Sequence, residues 1–216
     1  MRGENMDIPV IVYGAGGLGR EVMQIVIGAL VGRGGYAALG YLDDGIAPGT
    51  VRGGFPVLGG GDYLENSVGE LALVMGIADP DTKAGLYKKF KDRRGVSFPN
   101  VIHPGASVSA SASLGRGVVI ASGCFVSVDA VVGDCVFMSN GAFIGHDVRI
   151  GGFSSIMPLA AIAGCVAIGE RCLIGMQCAI RQGSSVGNGA AVGMGGVVLG
   201  DVPDGETVAG NPAKRI

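Results

Sequence analysis

The sequence predicts two joined folds. Residues 1–98 form a small parallel α/β sheet, and residues 99–216 form a parallel β-helix of hexapeptide repeats. Three observations predict this: an aliphatic residue at every sixth position of the second part, alternating strand and helix patterns in the first, and 42 glycines in 216 residues. That much glycine in a chain that is 48% hydrophobic points to many tight turns rather than to disorder.

In the first part, IPVIVYGAGGLGREVMQIVIGAL reads as a buried strand, a glycine turn and a helix. YAALGYLDDG reads as a second strand that ends in two acids. LALVMGIADPDTKAGLYKKFKDRRG reads as a third strand and a helix, with Asp79 as its N-cap and Pro80 in its first turn. Strands that alternate with helices favour a parallel sheet. The period changes near SFPNVIHPGAS, which sets the expected boundary.

From residue 102 to residue 198, seventeen positions spaced by six are all Ile, Val, Leu or Met. Two residues before most of them stands Ala, Ser, Cys or Gly, and glycine often follows, as in IGH, IGG, IGE and IGM. Such a repeat is the signature of a parallel β-helix. Each hexad supplies one strand and one turn, three hexads make a coil of 18 residues, and the sixteen steps of six make about five and a third coils. A β-sandwich would need irregular strand spacing and hairpin turns. No insertion interrupts the phase, so a site must be built from the coils, the turns or a neighbouring subunit.

Net charge is −2 and the isoelectric point about 5.6, which argues against nucleic acid and anionic membranes as partners. The leader MRGENMD is polar and no signal-peptide pattern follows. The five cysteines are odd in number and lack CxxC spacing, so the chain reads as cytoplasmic with free thiols and no metal site. Cys124, Cys172 and Cys178 fall in the small-residue slot of the hexad and read as packing. The run KKFKDRR reads as a solvated face and His103 as a turn residue.

Two constellations carry chemistry. Gly14, Gly16 and Gly19 fit G-x-G-x-x-G between strand and helix, where backbone amides suit a phosphate. Asp43 and Asp44 end the next strand, in position for a ribose or base. The region holds one mononucleotide half, too little for a full dinucleotide fold, and the same glycines would also serve plain strand–helix packing. The second constellation is His146-Asp147. Gly164 lies 18 residues on, hence one coil away, at a strand spacing of roughly 4.8 Å. A base beside an unobstructed amide is the geometry of acyl transfer, with Asp147 orienting the ring. Spacing alone favours an ordinary polar turn.

The segments VIVYGAGGLGRE, GYLDDG, VIHPGASVS, GHDVRIG and VAGNPAKRI, joined by the unbroken hexads, resemble the NeuD/PglD-type sugar acetyltransferases. These are bacterial left-handed β-helix acyltransferases, and the resemblance covers both parts of the chain. It implies a homotrimer, a nucleotide-sugar-binding domain over 1–98, and acetyl-CoA lying between neighbouring β-helices of 99–216. It implies that Gly14, Gly16, Asp43 and Asp44 contact the nucleotide of a UDP- or similarly linked amino sugar, and that His146-Asp147 is the catalytic pair. Gly164 would offer its amide to the acetyl group, and Met176 and Met194 would line the CoA channel. Family members often carry a second histidine where this chain has Ser155, and an asparagine where it has Ser139 followed by Asn140. Those departures fall beside the expected acyl and acceptor sites and leave the sugar open. The reaction implied is N-acetylation by direct transfer. O-acetylation of a sugar hydroxyl, as in sialic acid, and a non-catalytic nucleotide-sugar binder are the alternatives.

Overall fold

The computed structural model describes residues 7–216. Of the polar leader, all but Asp7 lies outside them. The N-terminal sheet has strand order β3-β4-β2-β1-β5-β6. Strand β1 (Ile8–Tyr13) lies between β2 (Tyr36–Leu42) and β5 (Leu71–Met75), parallel to both, and β4 (Phe55–Gly59) and β6 (Val96–Ser97) extend the parallel order outward. β3 (Val51–Arg52) pairs antiparallel with β4 and closes one edge. This pair, β6 and helix α2 (Gly61–Asn66) add to the three strands and two helices read in the sequence. Helix α1 (Gly17–Ala29) buries Val22, Met23, Ile25, Val26 and Ala29 at helical spacing against the sheet. Helix α3 (Pro80–Phe90) starts as its sequence predicts: Asp79 accepts the Thr82 N–H at 2.8 Å, with proline in the first turn.

The second part is a stack of seventeen two-residue strands, from Val101–Ile102 to Val197–Val198, one for each aliphatic hexad position. They form three parallel faces. The first face runs through Val119–Ile120, Phe137–Met138 and Ser155–Ile156; the second through Phe125–Val126 and Phe143–Ile144; the third through Val131–Val132 and Arg149–Ile150. Neighbours on a face are 18 residues apart, as in Val119 opposite Phe137. The aliphatic side chains and the slot residues Cys124, Cys172 and Cys178 fill one continuous core. Glycine after the aliphatic residue has a steric cause: a Cβ on Gly145 would lie 2.7 Å from the Gly164 nitrogen of the next coil.

The two parts share a core. Val22 and Met23 of α1 pack with Val101, Val119, Ala121 and Phe137 on the first face. Lys83 of α3 is fully buried, and its Nζ donates to Ser154 O at 3.1 Å and Ser155 Oγ at 2.8 Å. Ser155 Oγ in turn donates to Ala78 O at 2.6 Å. Burial pulls the Lys83 ammonium down to about 7 and pushes the Cys135 thiol up to about 12. Tyr87 packs edge-to-face against Phe98 and tilted against Phe153, and donates to Asp134 at 2.8 Å. In the basic run after it, Phe90 is buried while Lys88, Lys89 and Lys91 face solvent. No helix among the described residues is long and apolar enough to cross a membrane.

Candidate active site

His146 and Asp147 occupy the corner between the second and third faces. His146 Nδ1 and Asp147 Oδ2 are 2.8 Å apart, and both side chains are about half exposed, at 49% and 58%. Asp147 stands in the left-handed region at φ 57°, a corner conformation repeated up the helix at Asp129, Cys165 and Gly183. One coil on, Gly164 faces the ring: a Cβ there would collide with His146 Nε2 and Cε1. The Gly164 N–H has no hydrogen-bond acceptor among the described residues, whereas the matching amides of Glu170 and Asn188 at another corner are held by Asn188 and Asp204 side chains. The corner therefore combines an imidazole, its carboxylate partner and an unspent amide.

The same corner holds a residue that sequence reasoning missed. Cys165 is the one exposed cysteine of the five, and its N–H donates to His146 O at 2.8 Å. It takes the place of Asp147 one coil later, with nearly the same φ of 58°. The coil arithmetic that found Gly164 also gives 147 plus 18.

At the glycine turn, Gly14 has φ 103° and α1 has no side-chain N-cap; nothing lies within 4 Å of a Cβ on Gly16 or Gly17. The open helix start leaves amide donors for an anion. Gly19 has a different duty, since its Cβ would strike the Gly14 backbone. The two acids are more occupied than their sequence suggests. Asp43 accepts from Ala15 N and Gly45 N, each at 2.9 Å. Asp44 accepts from Tyr13 Oη at 2.7 Å and Gly61 N at 2.9 Å. The Tyr13 and Gly61 hydrogen bonds hold the Asp44 carboxyl below its usual range, while burial and Asp44 raise Tyr13. Each carboxylate brackets a turn, and only its remaining lone pairs face outward.

The other expected contacts separate by position. Asn140 is exposed and, with Glu21, Gln24, His103 and Ser122, lines a cleft of about 230 Å³ between α1 and the β-helix. Ser139 beside it is buried. His103 keeps a turn role, its Nδ1 accepting the Gly105 N–H at 2.9 Å. Met176 and Met194 are 43% and 78% exposed, one coil apart, on the corner between the first and second faces. Ser155 departs from expectation: it is fully buried, its hydroxyl spent on Ala78 and Lys83, so within the chain it offers nothing to an acyl donor. The glycine turn and the methionines thus lie away from the corner of His146, with the second face between the two corners.

The hexapeptide-repeat β-helix is that of an acetyltransferase. The PglD N-terminal domain family matches residues 9–90. The acetyltransferase domain of PglB from Neisseria gonorrhoeae, solved with acetyl coenzyme A, is 33% identical, with a TM-score of 0.90 over 97% of this chain and 100% of that one. PerB from Caulobacter crescentus, solved with CoA and GDP-perosamine, is 32% identical, with a TM-score of 0.86 over 96% of this chain and 97% of that one. WeeI from Acinetobacter baumannii is 27% identical, with a TM-score of 0.85 over 97% of this chain and 100% of that one. No curated protein matches the chain. The chain belongs to the NeuD/PglD-type sugar acetyltransferases, enzymes whose second domain is a left-handed β-helix.

Proposed function

We propose that the protein transfers the acetyl group of acetyl-CoA to the amino group of a nucleotide-linked sugar, with His146 as general base. The observation that carries this reading is the corner itself: His146 Nε2 over Gly164, Nδ1 on Asp147, and the Gly164 N–H without an internal acceptor. His146 Nε2 takes the proton of the attacking amine as the new C–N bond forms. The Gly164 N–H donates to the carbonyl oxygen that receives the displaced electron pair. His146 then returns the proton to the sulfur as the C–S bond breaks. Asp147 holds the ring's orientation and balances its transient charge. No cysteine nucleophile is needed.

The acceptor half of the site consists, in this reading, of the glycine turn at Gly14 and Gly16, with the open helix start at Gly16 and Gly17, the outward lone pairs of Asp43 and Asp44, and the cleft at Asn140. A nucleoside diphosphate fits that set, the phosphates at the helix start and the ribose or base at the acids. UDP is the nucleotide expected here, and the GDP-perosamine bound by PerB makes GDP the second to test.

The two corners support an assembly of more than one chain. A reaction that needs both draws on two chains, one giving His146 and the other giving Met176, Met194 and the cleft. The second face between them carries Phe125 and Phe143, stacked at 5.2 Å and 41% and 47% exposed, an apolar surface suited to a neighbour. Closed threefold symmetry covers that face in every subunit, so we infer a homotrimer. The test is turnover with acetyl-CoA and a panel of UDP- and GDP-linked amino sugars, following thiol release, with light scattering on the same sample. Thiol release with no amino sugar, or a monomer at micromolar concentration, overturns the reading.

A further inference from the structure

The corner that holds the base also holds a donor set that acetyl transfer does not use as a unit. His146, Asp147 and Cys165 each turn one ligand atom toward the others, and these atoms all lie within 4.8 Å of one another. All three side chains are exposed. The convergence is built by the coil. Asp147 and Cys165 share one corner position a coil apart, in the same left-handed conformation, so their side chains leave the backbone in parallel. The bond from Cys165 N to His146 O at 2.8 Å fixes the spacing of the two turns.

We propose that this corner binds one soft divalent cation of the Zn²⁺ and Cd²⁺ class through His146, Asp147 and Cys165, and that the cation switches the enzyme off. An imidazole nitrogen, a thiolate and a carboxylate oxygen are the donors such ions select, whereas Mg²⁺ and Ca²⁺ take oxygen sets. Bond lengths of about 2.0–2.3 Å place the donors of a tetrahedral ion roughly 3–4 Å apart. A trio already within 4.8 Å reaches that by rotation of exposed side chains, with the backbone at rest. The Cys165 proton is released to solvent as the sulfur–metal bond forms, and solvent takes the fourth position.

Loss of activity follows from the two ring nitrogens. A cation on Nε2 occupies the lone pair that would take the substrate proton. A cation on Nδ1 displaces the ring from Asp147 and leaves the remaining proton on Nε2, which again has no free lone pair. This consequence rests on His146 as the base; the cation site does not.

Protein cleared with EDTA and titrated with Cd²⁺ reports the site directly, through the thiolate-to-cadmium charge-transfer absorbance. Wild type is expected to saturate at one equivalent and Cys165→Ser to show no band, its four buried thiols serving as the internal control. In the transfer assay, Zn²⁺ should inhibit wild type and EDTA should restore it. Cys165→Ala should keep its activity and require at least about tenfold more Zn²⁺ for the same loss. A band that persists in Cys165→Ser, or equal inhibition of wild type and Cys165→Ala, overturns the proposal. A fully active His146→Ala protein in EDTA would sink the general base instead, with the cadmium titration still deciding the cation site.

Discussion

The chain carries two polar pairs just beyond strand ends, Asp43-Asp44 and His146-Asp147, and it treats them in opposite ways. In the α/β sheet all four carboxylate oxygens accept from internal donors: Ala15, Gly45, Tyr13 and Gly61. On the β-helix the pair makes one side-chain hydrogen bond, to each other, and the rest of both groups faces solvent. A pair whose every oxygen already accepts one internal hydrogen bond shapes its turns first and offers a ligand only the lone pairs left over. A pair that leaves capacity unspent, beside an equally unspent amide, is available to a reaction. The difference comes from the scaffolds. The sheet's connections fold back over its strand ends, while the corner at His146 is a turn stacked on the next corner of the coil.

The sharpest way to break this comparison is to remove the unspent group. His146→Ala should lower turnover by roughly 10²- to 10⁴-fold, with melting temperature and CoA affinity nearly unchanged. Asp147→Asn should cost less, since orientation persists in part. Full turnover in His146→Ala at neutral pH would defeat the assignment. Gly164→Ala comes next. Its Cβ collides with the imidazole, and because the ring is exposed it can swing aside without disturbing the core. Displacement by about 1 Å is expected to cost on the order of 10²-fold in kcat, with unfolding unaffected. Equal losses of turnover and stability would instead make Gly164 a structural glycine.

The scaffold contrast also explains what was legible. A coil of constant length turns sequence spacing into position, so seventeen strands, their faces and the stacking of Gly164 on His146 could be counted. Cys165 was countable in the same way, but hexad phase does not give exposure: Cys135 stands at the same hexad position and is buried. The junction was not countable. Lys83 meets Ser155 across 72 residues, from a helix of one period to a strand of another, so no repeat announces it. Nor does a strand-end aspartate reveal that Tyr13 and Gly61 already hold it.

That junction gives the next prediction. Lys83 titrates near 7 when folded and near 10.5 when unfolded. Between those values the unfolded chain binds more protons, so stability rises with pH across that window. Below about 7 the charge is buried in the fold and its desolvation is felt in full. Lys83→Met should therefore flatten the rise, and at pH 6 it should stabilise the protein by roughly 1–3 kcal/mol. Denaturant melts at pH 6 and pH 9 measure it; parallel curves for the two proteins would show that Lys83 does not change its charge in the window.

The smallest expected effect returns to the acids. If the outward lone pairs of Asp44 receive a ribose or base, Asp44→Ala loses those bonds and about 0.5–1.5 kcal/mol of nucleotide-sugar affinity, up to roughly tenfold. It also loses the bracket from Tyr13 and Gly61, so the single variant confounds contact with scaffold. Tyr13→Phe separates them. It frees Asp44 Oδ2 and removes part of the bracket while leaving the carboxylate in place. Binding should then hold or tighten slightly, while Asp44→Ala weakens it. Acetyl-CoA affinity should be unchanged in both, because Met176, Met194 and Gly164 belong to the β-helix. NADP should bind neither to wild type nor to Tyr13→Phe, since an added 2′-phosphate would face two carboxylates. Calorimetry with UDP- and GDP-sugars makes the comparison. Equal loss of affinity in Tyr13→Phe and Asp44→Ala, matched by equal loss of melting temperature, would leave Asp44 a turn bracket alone and move the nucleotide contact to the amides of the glycine turn.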